Sequence, residues 1–298
     1  MDKERFTDFK EDILCLVSDM LISEAKCSLT TTRKNNGLLL NGINVTPNEN
    51  KIGTIIYIDG FFEDYNNGSS RWEIAERICE IYRANKDRVN FDIKDFESFE
   101  TASARIAYKL INYEANKAFL ELVPHRRVLD LAVIYYYLTD IAGDAMASAV
   151  IKNEHLDMWQ TDEKTLYKIA RANTPQLLPK RLQSMQEVLN GVIPFEYGVG
   201  DKCLDIMYVL TNDKGINGAT CMVYPHVLSE FANRIQEDLY ILPSSIHEII
   251  IVPKTMISNV ADIRNLVSFI NDTEVSEDEV LSDTVYYFER HSGMIEVA

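Results

Sequence analysis

The chain has 298 residues, 46% of them hydrophobic, which suffices for one large domain or two lobes with a sizeable core. Its 46 acids outnumber 30 lysines and arginines for a formal charge of -16, so the mean field repels phosphate backbones and anionic membrane surfaces. Direct nucleic-acid binding is thereby disfavoured. An acidic surface that draws a basic partner, or one that imitates nucleic acid as an inhibitor, stays open beside an ordinary solvated face.

Cys15, Cys27, Cys79, Cys203 and Cys221 are odd in number and contain no C-x-x-C pair, so neither a disulfide framework nor a zinc ribbon is expected, and a reducing cytoplasm fits best. The opening MDKERFTDFKED is charged where a signal peptide would be apolar. The longest apolar run, Leu131 to Leu138, is far short of the roughly 20 residues a bilayer needs. No export, membrane anchor, cofactor or metal is expected.

Phe6, Phe9, Ile13, Leu14, Val17, Met20 and Leu21 trace one stripe of an opening helix. CSLTTTRKNNGLLLNGINV then places Asn35-Asn36-Gly37 between two strand-like runs, and Thr54 to Ile58 adds a third strand. Ser70-Arg71-Trp72-Glu73 is a capping box that predicts a helix to about Ala84. Lys86 to Thr101 reads as a connection with short helical turns. RIAYKLINY (Arg105 to Tyr113) is ambiguous by periodicity, and the strand reading is favoured. A short helix from Ala115 to Leu122 follows.

Arg127 to Leu138 predicts the strongest single strand, paired after Gly143 with Met146 to Ile151. Thr161 is read as the cap of a helix with Leu166, Ile169 and Ala170 inside, Pro175 beyond its end and Trp159 packed at its start. Leu182, Met185, Val188 and Leu189 suggest another helix closed by Gly191, and Gly191 to Asp201 an inter-lobe linker. Met207 to Pro225 reads as strand, turn, strand, followed by a helix with Val227, Leu228, Phe231, Ala232 and Ile235 on its buried side. Leu239 to Leu242 and Ile249 to Val252 are apolar without alternation, as central strands are. Ile263, Leu266, Val267 and Ile270 mark a further helix, Ser276 to Glu279 a second capping box, and the chain closes as a hairpin at Ser292-Gly293.

Tight turns between strands imply an α+β fold: largely antiparallel sheets built from hairpins, with covering helices. The lobes are drawn at 1–190 and 201–298, with one continuous domain as the alternative. No G-x-G-x-x-G or G-x-x-x-x-G-K-[ST] is present.

The strings GINGATCMVYPHVLSEFANRIQEDLYILPSSIHEIIIVP and RIAYKLINYEANKAFLELVPHRRVLDLAVIYYYL, with the LYILPSSIHE segment as the most telling part, resemble an uncharacterised bacterial family. That family is a domain of unknown function found in gut anaerobes and their mobile elements, and the likeness extends over nearly the whole chain. It implies an intracellular bacterial protein and supplies no catalytic or binding residues.

The loop Pro243 to Glu248 is the first candidate site, because Ser244, Ser245, His247 and Glu248 sit between two central strands, where rigid strands present recognition residues. A serine-hydrolase reading needs a hydroxyl and an imidazole within bonding reach, and no G-x-S-x-G accompanies them. The second candidate cluster is His125, Arg127, Asp130, His155 and Asp157, whose imidazoles and carboxylates suit zinc or iron but lack H-E-x-x-H spacing. For Asp130 an ion pair with Arg126 or Arg127 is the alternative. Tyr135, Tyr136, Tyr137, Tyr286 and Tyr287 suggest either a stacking platform or packed sheet faces. No catalytic set is complete. The reading is a non-enzymatic binding or accessory protein that recognises a protein partner, with an enzyme assembled from distant residues, or an acidic inhibitor, as alternatives.

Overall fold

The computed structural model describes residues 2–48, 53–86, 93–142, 145–192 and 207–298. The chain divides into two compact units, Met1–Asn90 and Phe91–Ala298. The expected linker at 191–201 lies, from residue 193 onward, outside the described residues.

In the first unit, α1 (Asp2–Met20) leads into β1 (Ala25–Arg33), β2 (Leu39–Pro47) and β3 (Thr54–Tyr57), followed by α2 (Asp59–Asn66) and α3 (Arg71–Asn85). The strands form the expected antiparallel meander in the order β1-β2-β3. Its first turn works because Asn36 and Gly37 accept left-handed φ values of 57° and 80°. The stripe on α1 buries Phe9, Ile13 and Val17 against Ile43, Ile74 and Ile78. At α3 the capping box forms as expected: Ser70 Oγ accepts from Glu73 N at 3.2 Å, and Glu73 Oε2 accepts from Ser70 N at 2.9 Å. Helix α2 was not anticipated. Asp59 fixes its start by accepting from Asn41 N and Asn41 Nδ2 at 2.8 and 3.0 Å, a tertiary contact invisible in an eight-residue segment.

The second unit opens with α4 (Ile93–Glu97), α5 (Phe99–Ala102), β4 (Ile106–Asn112), α6 (Lys117–Leu120), β5 (His125–Val128), β6 (Leu131–Ala142) and β7 (Ala145–Val150). Then follow α7 (Asn153–Trp159), α8 (Glu163–Leu177), β8 (Lys180–Ser184), α9 (Met185–Val192), β9 (Tyr208–Asn212), α10 (Val227–Ile235), β10 (Leu239–Leu242), β11 (Ile249–Pro253), α11 (Val260–Thr273), β12 (Tyr286–Glu289) and β13 (Met294–Val297). A four-stranded sheet is built on β6, with β4 on one side and β5 and β7 along the other. A six-stranded sheet has the order β13-β12-β10-β11-β9-β8, every pair antiparallel. The fold is α+β, with β10 and β11 at the centre as their two-faced apolarity requires.

One core joins the two sheets, with Tyr135 and Leu131 from β6 and Ile241 and Ile251 from β10 and β11 packed in the same cluster with α8 and α10. The outer edge of β4 is closed by side chains instead of a strand: Tyr108 N donates to Thr174 Oγ1 at 3.1 Å and Leu110 N to Thr220 Oγ1 at 3.2 Å. Strands on both sides of the undescribed segment 193–206 pair, since β8 is registered with β9 from Lys180↔Asn212 to Ser184↔Tyr208.

Several elements differ from expectation. The run from Arg127 to Leu138 is not one strand, because Leu129 takes a left-handed φ of 57° and turns β5 back onto β6. The second strand expected before Pro225 is a 3-10 segment, Gly218–Val223. A Cβ at Gly218 would lie 2.4 Å from the His247 carbonyl oxygen and 2.8 Å from Asn212 N, so only glycine fits where this segment starts, between the end of β9 and the loop before β11. Asp162, not Thr161, caps α8 by accepting from Thr165 N at 2.9 Å, and Pro175 lies inside the last turn. Leu182 belongs to β8, so the expected helix begins only at Met185 and runs through Gly191. Ser276 to Glu279 makes a single turn whose following residue, Val280, bridges to Ser245. Among the described residues no helix is long and apolar enough to cross a membrane.

Candidate functional site

The loop Pro243 to Glu248 joins β10 to β11, and most of its polarity is engaged inside the fold. Ser244 O accepts from Leu281 N at 2.9 Å, and Ser245, 6% exposed, accepts at Oγ from His247 N at 3.0 Å. His247 O accepts from Thr211 Oγ1 at 2.8 Å. The imidazole stands with Nδ1 at 3.4 Å from Asn217 N, as acceptor, and Nε2 at 3.3 Å from Glu279 Oε1. The Ser245 hydroxyl therefore meets the main chain of His247 and not its ring, and the hydroxyl–imidazole pair a nucleophile needs is not formed.

Glu248 is different. It is half-buried, and burial pushes its carboxyl above the usual range, opposed by the nearby His247 and Ser245. It lines a cleft of about 340 Å³ with Arg181, Gln183, Thr211, Met185 and Ile250. The register explains the grouping. Arg181 is level with Thr211, and Ile249 is level with Leu210, so the residue before Ile249, Glu248, falls beside Thr211 on its other side. Arg181 and Glu248 thus flank Thr211 on one face, two strand spacings or about 10 Å apart at the backbone. In the next row Gln183, Val209 and Ile250 are level, and Val209 and Ile250 form an apolar floor. Among the described residues the Arg181 side chain makes no hydrogen bond or ion pair, and Glu248 meets no cation in a salt bridge. The sequence reading missed Arg181 because it absorbed Leu182 into a helix; the alternation in KRLQS was the available signal.

The second candidate cluster is not assembled. His125 Nδ1 lies 3.0 Å from Val123 O, and Arg127 Nε donates to Leu129 O at 3.0 Å while its guanidinium sits 4.3 Å from the Tyr113 ring centre. His155 accepts from Lys152 N at 3.0 Å and packs edge-on to Phe96, and Asp157 is exposed on α7. Burial keeps the His155 imidazole below its ordinary pKa. Asp130 pairs with neither Arg126 nor Arg127. Its carboxylate accepts from Ser282 Oγ at 2.6 Å, Thr284 Oγ1 at 3.1 Å and Tyr286 OH at 2.5 Å, while Arg126 bonds Glu163. Among the described residues no three His, Cys, Asp or Glu side chains converge as metal ligands. Four of the five tyrosines, Tyr135, Tyr136, Tyr137 and Tyr286, are at most 2% exposed, so only Tyr287 reaches the surface and the five do not form a platform.

A model of a family of unknown function, DUF5688, matches residues 6–290. No curated protein and no solved structure matches the chain. With nearly its full length matched, the chain belongs to the family of unknown function DUF5688.

Proposed function

We propose that the chain is a non-enzymatic binding protein that recognises a protein partner through the cleft between Arg181 and Glu248. One observation carries this reading: an acid and a base flank Thr211 beside an apolar floor and leave each other unpaired. Such a cleft suits a partner segment that brings a cation to Glu248 and a carboxylate to Arg181 with an apolar side chain between them. A partner cation also reverses the effect of burial on Glu248, so binding favours the ionised carboxylate. The setting in this reading is a bacterial cytoplasm, on the strength of the cysteine spacing and the family resemblance.

Affinity capture from extracts of the source cells, read by mass spectrometry, tests the proposal. The wild-type chain should retain a protein that Glu248→Gln and Arg181→Gln both lose, with melting temperatures close to wild type. Retention of the same protein by both variants would return the cleft to scaffold. A second reading draws on the raised carboxyl of Glu248, which also suits a general acid. Conversion of a substrate that Glu248→Gln abolishes, with no protein captured, would favour it.

A further inference from the structure

A separate cleft of about 480 Å³ opens between β5, α8, the 3-10 segment, the start of α10 and the β12–β13 hairpin. Its lining includes Arg171 and His226 and contains no carboxylate, in a chain whose formal charge is -16. The rest of the wall mixes apolar and aromatic side chains, Val133, Met222, Tyr224, Leu228 and Phe288 among them, with polar surface that includes Ser229. We propose that this cleft binds a small organic anion, a carboxylate or phosphate head on an apolar body, with Arg171 and His226 holding the head.

Acids on the same two helices are engaged elsewhere. Glu163, Tyr167 and Arg171 follow one another at four-residue steps along one face of α8. Glu163 grips Arg126 through bonds of 3.2 and 2.9 Å and accepts from Tyr135 OH, and the Arg126 guanidinium lies 3.9 Å from the centre of the Tyr167 ring. That arrangement neutralises Glu163 two such steps before Arg171. On α10, Glu230 is bonded to Lys180 at 2.8 Å. Among the described residues the side chains of Arg171 and His226 make no hydrogen bond or ion pair.

The position of His226 is fixed by its main chain. Its φ is 67°, and its carbonyl accepts from Glu230 N at 2.8 Å and Ser229 Oγ at 3.0 Å. The turn after Pro225 therefore sets the imidazole at the cleft rim without any bond from the ring itself. Mean-field attraction cannot recruit an anion to so acidic a chain, so short-range contact to the planar guanidinium and burial of the apolar body must supply the affinity. Neither half of the ligand suffices alone.

Calorimetric titration of the full chain with phenyl phosphate and with phenylacetate tests this, with inorganic phosphate and benzyl alcohol as probes lacking one half. Saturable binding of at least one aromatic anion is expected, with both half-probes weaker by about tenfold or more. Arg171→Met, which keeps an apolar stem, and His226→Asn, which keeps a residue tolerant of the left-handed turn, should each weaken it by about tenfold. Arg234→Met removes a cation from α10 that does not line the cleft and should leave binding unchanged. Melting curves establish that each variant is folded, and Arg171→Gln replaces Arg171→Met if the latter is not. No saturable binding of either aromatic anion overturns the proposal, as does equal loss in Arg234→Met or full binding by folded Arg171 variants.

Discussion

Tyr136 carries a phenolic hydroxyl into the core with nothing to bond among the described residues. The other buried tyrosines of this unit show what is missing: Tyr224 OH donates to Leu178 O at 3.0 Å, and Tyr286 OH to Asp130 Oδ1 at 2.5 Å. An unsatisfied buried hydroxyl costs on the order of 1 kcal/mol or more, and removing it leaves the ring's packing in place. Tyr136→Phe should therefore raise stability by about 1 kcal/mol, seen as a higher urea midpoint at unchanged slope. A lower midpoint would mean that the hydroxyl has a partner in solution. The sequence marked YYY as strand but could not say which hydroxyls are satisfied, because Glu163 and Asp130 reach their tyrosines from other elements.

Asp238 shows how one side chain can bind elements together. Its carboxylate, between α10 and β10, accepts from Tyr287 OH at 2.6 Å, Arg290 N at 3.0 Å and Lys254 Nζ at 3.3 Å, which ties β10 to the end of β11 and to the terminal hairpin. These bonds, that from Tyr287 foremost, hold its carboxyl down at about 2. A carboxyl depressed on folding stabilises the fold above its unfolded value, roughly 4, and loses that contribution as pH falls toward the folded value. The stability difference between wild type and Asp238→Asn should be full at neutral pH and shrink between about pH 4 and pH 2. A difference constant across that window would refute the assignment. Local patterns were legible at this scale. The apolar runs of β10 and β11, the α1 stripe and the Ser70 box all formed as read, since each depends on neighbours in sequence. What failed depended on contact from afar: Gly218 against the His247 carbonyl, Asp59 against Asn41, and the strand partner that draws Leu182 into β8. The candidate loop was legible as a polar insertion between central strands. That Ser245 and His247 would turn inward, leaving Glu248 in a cleft with Arg181, was not, because both outcomes use the same residue types.

Over the whole chain, the cysteines connect the sequence reading to the two cores. Cys15 is exposed on α1, Cys27 is half-buried, Cys79 is buried in the first unit and Cys221 in the second, all with free thiols, while Cys203 lies outside the described residues. Burial pushes the thiols of Cys27 and Cys79 above their ordinary range and that of Cys221 to about 12. Since the thiolate is the reactive form, these positions report on access to each core. Titration in denaturant without reductant should recover all five thiols, as the lack of any C-x-x-C pair requires. Among the four described cysteines of the native protein, Cys15 should label first and Cys221 should resist. Because Cys79 and Cys221 belong to separate hydrophobic cores, labelling them across a urea series reads the opening of each unit on its own. Fewer than five thiols in denaturant would contradict the reduced state expected of all five, and native labelling of Cys221 as fast as Cys15 would contradict the burial of Cys221.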